Sequence, residues 1–176
     1  MFQKQKHRHT NESPPKTKFY AKQAETAIIA INEEARKSVD KGLDSLVKKK
    51  FEQAEDFFSK AIRIQPDYAN AYACRGMTRI LLERTQEAVN DFDEAVRIDP
   101  LDAYFRFHRA KIRHFVQDDQ DGALADLEVV MRSKDSILLA DAYALRAKIH
   151  LKLGNIVLAE VDAQLARENG FKNDVF

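Results

Sequence analysis

The chain has little of what turns and staples a β-protein. Of its 176 residues five are glycine, four are proline, one is cysteine and none is tryptophan. A sandwich or barrel needs turn residues at every strand end, so this composition favours an all-α fold. The single cysteine, Cys74, excludes an intrachain disulfide and any all-cysteine metal site, and suits a reducing, cytoplasmic setting. No apolar run approaches the roughly 18 residues of a membrane span, and no membrane partner is expected. The opening stretch, MFQKQKHRHTNESPPK, has only Met1 and Phe2 as apolar residues before Pro14. It therefore resembles neither a secretory signal nor the amphipathic helix of a mitochondrial one. Net charge is +1, which gives no global pull toward nucleic acid.

What charge there is lies unevenly. Lys4, Lys6, Arg8, Lys16 and Lys18 face a single acid, Glu12, so a basic arm precedes a slightly acidic body. Residues 1–17, with Pro14 and Pro15, are expected to form a disordered basic tail. Next, KFYAKQAETAIIAI places Tyr20, Ala24, Ala27, Ile28 and Ile31 on one helical face. Asn32 followed by Glu33 and Glu34 has the character of a helix cap. A leading helix is therefore expected over 18–31, with a new helix from 33; one uninterrupted helix is the alternative.

The body repeats. Lys41-Gly42, Arg75-Gly76, Arg109-Ala110 and Arg146-Ala147 are spaced by 34, 34 and 37 residues. Ala54, Ala88, Ala123 and Ala159 step by 34, 35 and 36, and Ala61, Ala95, Val130 and Ala166 keep the same beat. Each unit reads as two helices joined by a short turn: KKKF, ERTQ, DDQDG or LGNI. The second helix carries a small residue, a larger one four on and a small one three further, such as Ala88, Phe92 and Ala95. That spacing makes one helical stripe on which neighbouring helices can approach closely. A proline then ends the first two units, at Pro66 and Pro100.

This pattern resembles the tetratricopeptide repeat family, whose unit is a 34-residue helix–turn–helix. Tyr72, Gly76, Ala88, Phe92, Ala95 and Pro100 match the family pattern in unit two. Unit one matches at Gly42, Ala54, Phe58, Ala61 and Pro66, with Ser38 at the first aromatic position. Unit four matches at Tyr143, Ala147, Ala159 and Ala166, with Ala163 and Phe171 in place of the second aromatic and the proline. Unit three departs most: Arg106 and Leu127 stand at the aromatic positions, and a residue is inserted in its turn. The resemblance implies a right-handed α-solenoid over 32–171, in four repeats (35–68, 69–102, 103–137 and 138–171), with a short tail at 172–176.

It also implies an inner, concave face. The lining positions would be Val39, Leu43, Leu46, Asn70, Ala73, Met77, Ile80, Tyr104, Phe107, Lys111, His114, Asp141, Lys148 and Leu151. Residues 103–115, AYFRFHRAKIRHF, alternate rings with cations and could hold a nucleic acid. In the repeat register they are instead the first helix of unit three. Phe105, Ile112 and Phe115 would pack between units, and Arg109 would be a scaffold arginine bonded to carbonyls or acids of the preceding unit. Nucleic acid is not expected, since no larger basic surface supports it.

Some family members hold a chaperone's C-terminal carboxylate with lysine, asparagine and arginine. The matching positions here are Val39, Leu43, Cys74, Tyr104 and His108, so that ligand is not expected. Residues 117–128 nearly fit a calcium loop, with Asp119, Asp121, Gly122 and Glu128 in register. Gln117 stands at the first ligand position, however, and Asp121 as a helix cap is preferred. No catalytic set, cofactor site or metal site is read. The resemblance implies a non-enzymatic adaptor or scaffold that holds a partner peptide or helix in its groove. The alternative is a permanent subunit of a cytoskeletal, ciliary or ribonucleoprotein assembly, anchored by its basic tail. The last repeat helix is apolar where a solenoid's capping helix is usually polar. Ile156, Val157, Val161 and Leu165 should therefore dock another chain, or a second copy as a homodimer.

Overall fold

The structure, a computed structural model, describes residues 16–133, 136–173 and 175, with side chains from Lys22 onward except Ser136. Among the described residues eight α-helices follow one another: α1 Lys16–Val47, α2 Phe51–Ile64, α3 Ala69–Leu81, α4 Thr85–Ile98, α5 Ala103–Ile112, α6 Gln120–Arg132, α7 Ser136–Lys152 and α8 Ile156–Glu168. A π-helical turn, Arg113–Gln117, prolongs α5. There is no strand among the described residues. The second half of α1 pairs with α2, α3 with α4, α5 with α6 and α7 with α8, and these hairpins stack into an all-α solenoid.

The small–large stripe explains the pairing. A Cβ at Gly42 would lie 2.5 Å from the Phe58 ring, and one at Gly76 would lie 2.9 Å from the Phe92 ring. Glycine is therefore needed where a full phenylalanine faces it. Unit three can carry Ala110 because Leu127 replaces the ring, and unit four carries Ala147 with Ala163. All of these residues except the glycines are fully buried hydrophobics, so each hairpin is zipped along its length.

The four turns within the hairpins share one device. Lys49, Glu83, Asp118 and Gly154 all adopt left-handed backbone, with φ of 56°, 60°, 56° and 78°. Three of them lack glycine's freedom, and each such residue costs about 1 kcal/mol or more.

Three expectations are corrected. Asn32 caps nothing: α1 runs unbroken through it, and the sequence has no glycine or proline between Lys16 and Lys41 to stop it. The helix expected over 18–31 is thus the first half of α1. Of the tail expected over 1–17, Lys16 and Thr17 open α1, while residues 1–15 lie outside the described residues. In the expected tail at 172–176, one described residue is held in the core. Val175 is 3% exposed and packs among Ala144, Ala147, Ala163 and Ala166.

Candidate functional site

The first helices of the hairpins are held in place by a ladder of buried carboxylates. Asp91, Asp126 and Asp162 each lie three residues after the repeat alanine of a second helix, and all are buried. Arg75 grips Asp91 through Nη2 at 2.6 Å, Arg109 grips Asp126 at 2.7 Å, and Arg146 grips Asp162 at 2.6 Å. In each pair Nε donates as well, so the guanidinium fits the carboxylate in bidentate fashion. Burial works against the charge on Arg109, but the bonds and charges of Asp126 and Asp93 outweigh it and raise its pKa. Arg109 is expected from the sequence to bond carbonyls or acids of the preceding unit. Its main partner is Asp126 of its own unit, and its reach backward is a 3.3 Å contact with Asp93.

Units two and four place a tyrosine against the arginine: Tyr72 at 5.6 Å from Arg75 and Tyr143 at 5.4 Å from Arg146. Unit three has Arg106 at that register, and its Nη1 donates to Asp126 at 2.7 Å. Arg113 adds a further bond to Asp126 at 2.8 Å. Three guanidinium groups thus converge on one carboxylate.

Arg113 opens the π-turn, and the π-turn reshapes the inner face. The residue that unit three gains is absorbed inside its first helix as one wide turn. His114, expected in the groove, is buried, with Nδ1 2.6 Å from Gln120 Oε1. Gln120 Nε2 donates in turn to Asp118 at 2.6 Å, so the Gln120 carbonyl accepts from His114 Nδ1–H. Phe115, expected to pack between units, is 63% exposed and faces the groove.

Two clefts meet there. One, of about 400 Å³, is walled by the rings of Phe107, Phe115 and Phe171, with Lys111, Asp141 and Lys148 at its rim. The other, of about 190 Å³, lies between Met77, Ile80, His108, Ile112 and Val116, and shares Lys111 and Phe115. Lys111 Nζ sits 5.9 Å from the Phe107 ring centre. His108 lies against Phe92, Tyr104 and Phe107. Burial and then the Lys111 charge push its pKa down to about 4, so it is neutral near pH 7. At the matching register of unit two, burial pushes the Cys74 thiol up to about 11.

Of the expected lining residues, Met77, Ile80, Phe107, Lys111, Asp141 and Lys148 come together in these clefts. Val39 and Ala73 do not line the groove; they are core residues, 6% and 2% exposed. Leu46 packs against that core. Leu43, Asn70, Tyr104 and Leu151 are exposed outside the two clefts. Phe115, His108 and Phe171 were not assigned to the groove from the sequence. The extra residue in unit three was the one signal that its register would shift. The calcium-like stretch is helical from Gln120, and its cap is Asp119, which accepts from Gly122 N at 2.8 Å, rather than Asp121. Among the described residues no group of three potential ligands could hold a metal. On α8, Ile156, Val157 and Val161 are exposed and Leu165 is half-buried.

A tetratricopeptide repeat family model matches residues 48–68 and 69–100. The mouse DnaJ homolog subfamily C member 7 is 33% identical over 75 residues, which is 43% of this chain and 15% of that protein. The curated relatives are much longer than this chain, which spans 7% and 15% of their length. Among solved structures, MamA superposes with a TM-score of 0.70 at 15% identity, covering 82% of this chain and 83% of that one. The first TPR of Spaghetti (RPAP3), bound to the HSP90 peptide SRMEEVD, superposes with a TM-score of 0.64 at 20% identity, over 70% of this chain and 95% of that one.

Proposed function

Because this chain is a tetratricopeptide repeat protein, we propose that it is a non-enzymatic adaptor whose groove holds a partner peptide or helix and so helps assemble a complex. The observation that carries this is Phe115, a large ring 63% exposed on an inner face between two clefts. A ring in that place is matched by an apolar anchor from a partner. Lys111 and Lys148 at the rim suit an acidic residue beside that anchor, so the ligand is a segment with a bulky apolar and an acidic side chain together. The groove does not suit a chaperone's terminal carboxylate held by cations in the first units. Val39 is buried, Leu43 is apolar, and the Cys74 thiol and His108 are uncharged. The exposed end of α8, at Ile156, Val157 and Val161, is a second docking surface for a protein chain.

The test is affinity purification from the native cell with three forms: full length, a form lacking residues 1–17, and Phe115→Glu. Phe115 is exposed, so the substitution leaves the fold intact. Loss of one partner with Phe115→Glu alone establishes the groove as its binding site, with affinity reduced by about 30-fold or more. If Phe115→Glu keeps every partner and loss of the tail releases the protein from a large particle, the permanent-subunit alternative replaces the adaptor.

A further inference from the structure

Lys111 and Phe115 stand four residues apart where α5 runs into the π-turn, and each of them lines both clefts. They form a partition. On one side Met77 and Ile80 of α3 complete the smaller cleft, and on the other Ala144 and Lys148 of α7 complete the larger. The two clefts are thus neighbouring gaps between successive first helices. Packed helices lie about 8–10 Å apart, so the centres of the clefts are separated by about 10 Å.

The partition carries a charge that nothing answers. Lys111 has no carboxylate partner among the described residues, and its ammonium group rests beside the Phe107 ring. An occupant that fills the groove therefore puts one apolar side chain on each side of the partition and an acid over it, all on one face. An extended strand does not do this. Its side chains alternate, so those on one face are about 7 or 14 Å apart. A polyproline II segment repeats its face every 9 Å or so, but it sets no side chain on that face in between. In an α-helix, residues seven apart lie about 10 Å from each other on one face, and those three and four along lie between them on the same face.

We propose that the partner in the groove is an amphipathic helix laid across α5, with two apolar anchors seven residues apart, one in each cleft, and an acid between them on Lys111. The proposal rests on the reading of the groove as a binding site and adds the form and chemistry of what it binds. The larger cleft, walled by the rings of Phe107, Phe115 and Phe171, takes the bulkier anchor.

The test is fluorescence anisotropy of the full chain with a labelled, alanine-rich peptide of about four helical turns. The peptide carries leucines seven residues apart, with glutamates three and four after the first leucine. The wild type binds it, and the peptide gains helical circular dichroism on binding. Moving the second leucine by two positions, to another side of the helix, weakens binding by about tenfold or more. Ile80→Glu, which touches the smaller cleft alone, does the same. Lys111→Glu also weakens it, and a peptide with lysines in place of the glutamates binds Lys111→Glu more tightly than it binds the wild type. Ile80 and Lys111 are both exposed, so these variants keep the fold. A peptide that binds without gaining helix, or equally well with its leucine moved, or equally well to Ile80→Glu, or with no exchange of charge preference, overturns the proposal and leaves the groove a binding site. A wild type that binds none of these peptides overturns it too, and if Phe115→Glu also keeps every partner in the cell, the reading of the groove falls with it.

Discussion

In unit two a tyrosine, Tyr72, lies against Arg75, and Arg75 and Arg79 share Asp91. In unit three the tyrosine's place holds Arg106, and Arg106, Arg109 and Arg113 all close on Asp126. In unit two Gly76 meets the Phe92 ring; in unit three Ala110 is buried with Leu127. Cys74 in unit two has His108 as its counterpart in unit three. The backbone plan is common to both, so these substitutions work as sets. A larger residue on one helix accompanies a smaller one on the other, and where the ring is lost a further cation stands in its place. The inserted residue of unit three is then what sets its inner surface apart from that of unit two, because the π-turn leaves Phe115 exposed and His114 buried.

Removing a shared carboxylate separates the two units most. Asp126→Ala leaves three partly buried guanidinium groups without their anion and should cost about 3–5 kcal/mol in urea unfolding. Asp91→Ala removes the shared anion from two, of which Arg79 keeps Glu55, and should cost less. Equal losses would show that the third arginine adds nothing.

Acid probes the Cys74–His108 difference. Folded His108 has a pKa near 4, below the ordinary value of 6.5. Between those values the unfolded chain binds the extra proton. The stability due to the neutral ring is therefore complete above about pH 6.5 and is lost as pH falls toward 4, by on the order of 2–3 kcal/mol. His108→Cys, which copies unit two, should remove this component from the pH profile.

The small–large rule is tested by exchanging the sets. Gly76→Ala drives a methyl into the Phe92 ring and should cost about 1–3 kcal/mol. Adding Phe92→Leu, the unit-three partner, should cost less than the sum of the two single changes. A fully additive double variant would sever the pairing. The smallest effect is in the turns. Glu83→Gly relieves left-handed backbone and should stabilise by up to about 1 kcal/mol, seen as a raised midpoint. Asp118→Gly should gain less, because Asp118 also accepts from Gln120 and Lys152.

Most of the solenoid was legible in the sequence, because close helix packing leaves a periodic residue at every point of contact. Gly42, Ala54 and Phe58 are written in sequence as they meet in space. The buried aspartates were equally visible, three residues after Ala88, Ala123 and Ala159, but an acid in a helix reads as solvated unless its arginine is paired with it. Asn32-Glu33-Glu34 has the composition of a cap, yet no residue there breaks a helix, and propagation through it is cheaper than a new start. The groove was half legible for one reason. A single extra residue can sit in a turn or widen a helix, and which of the two occurs depends on the tertiary bonds of Arg113 and His114.

The arginine ladder also sets an order of unfolding. Arg75 reaches back to Ser59, Arg79 to Glu55 and Arg109 to Asp93, so units two and three are each bonded to the unit before them. Arg146 hydrogen-bonds within its own unit, to Asp162, and unit four is tied to its neighbour by the exposed Lys152–Asp118 ion pair, which adds little, and by the apolar packing of Leu145 and Ile149. In a stack where stability passes from neighbour to neighbour, the unit with the weakest coupling opens first. The amide protons of α7 and α8 should exchange with solvent before those of α3 to α6. That early-opening hairpin carries Asp141 and Lys148, and Phe171 follows it directly, so one wall of the larger cleft belongs to the least firmly held of the hairpins. A bound segment would then be read as slowed exchange in α7 and α8, far more than as any change in the rest of the solenoid.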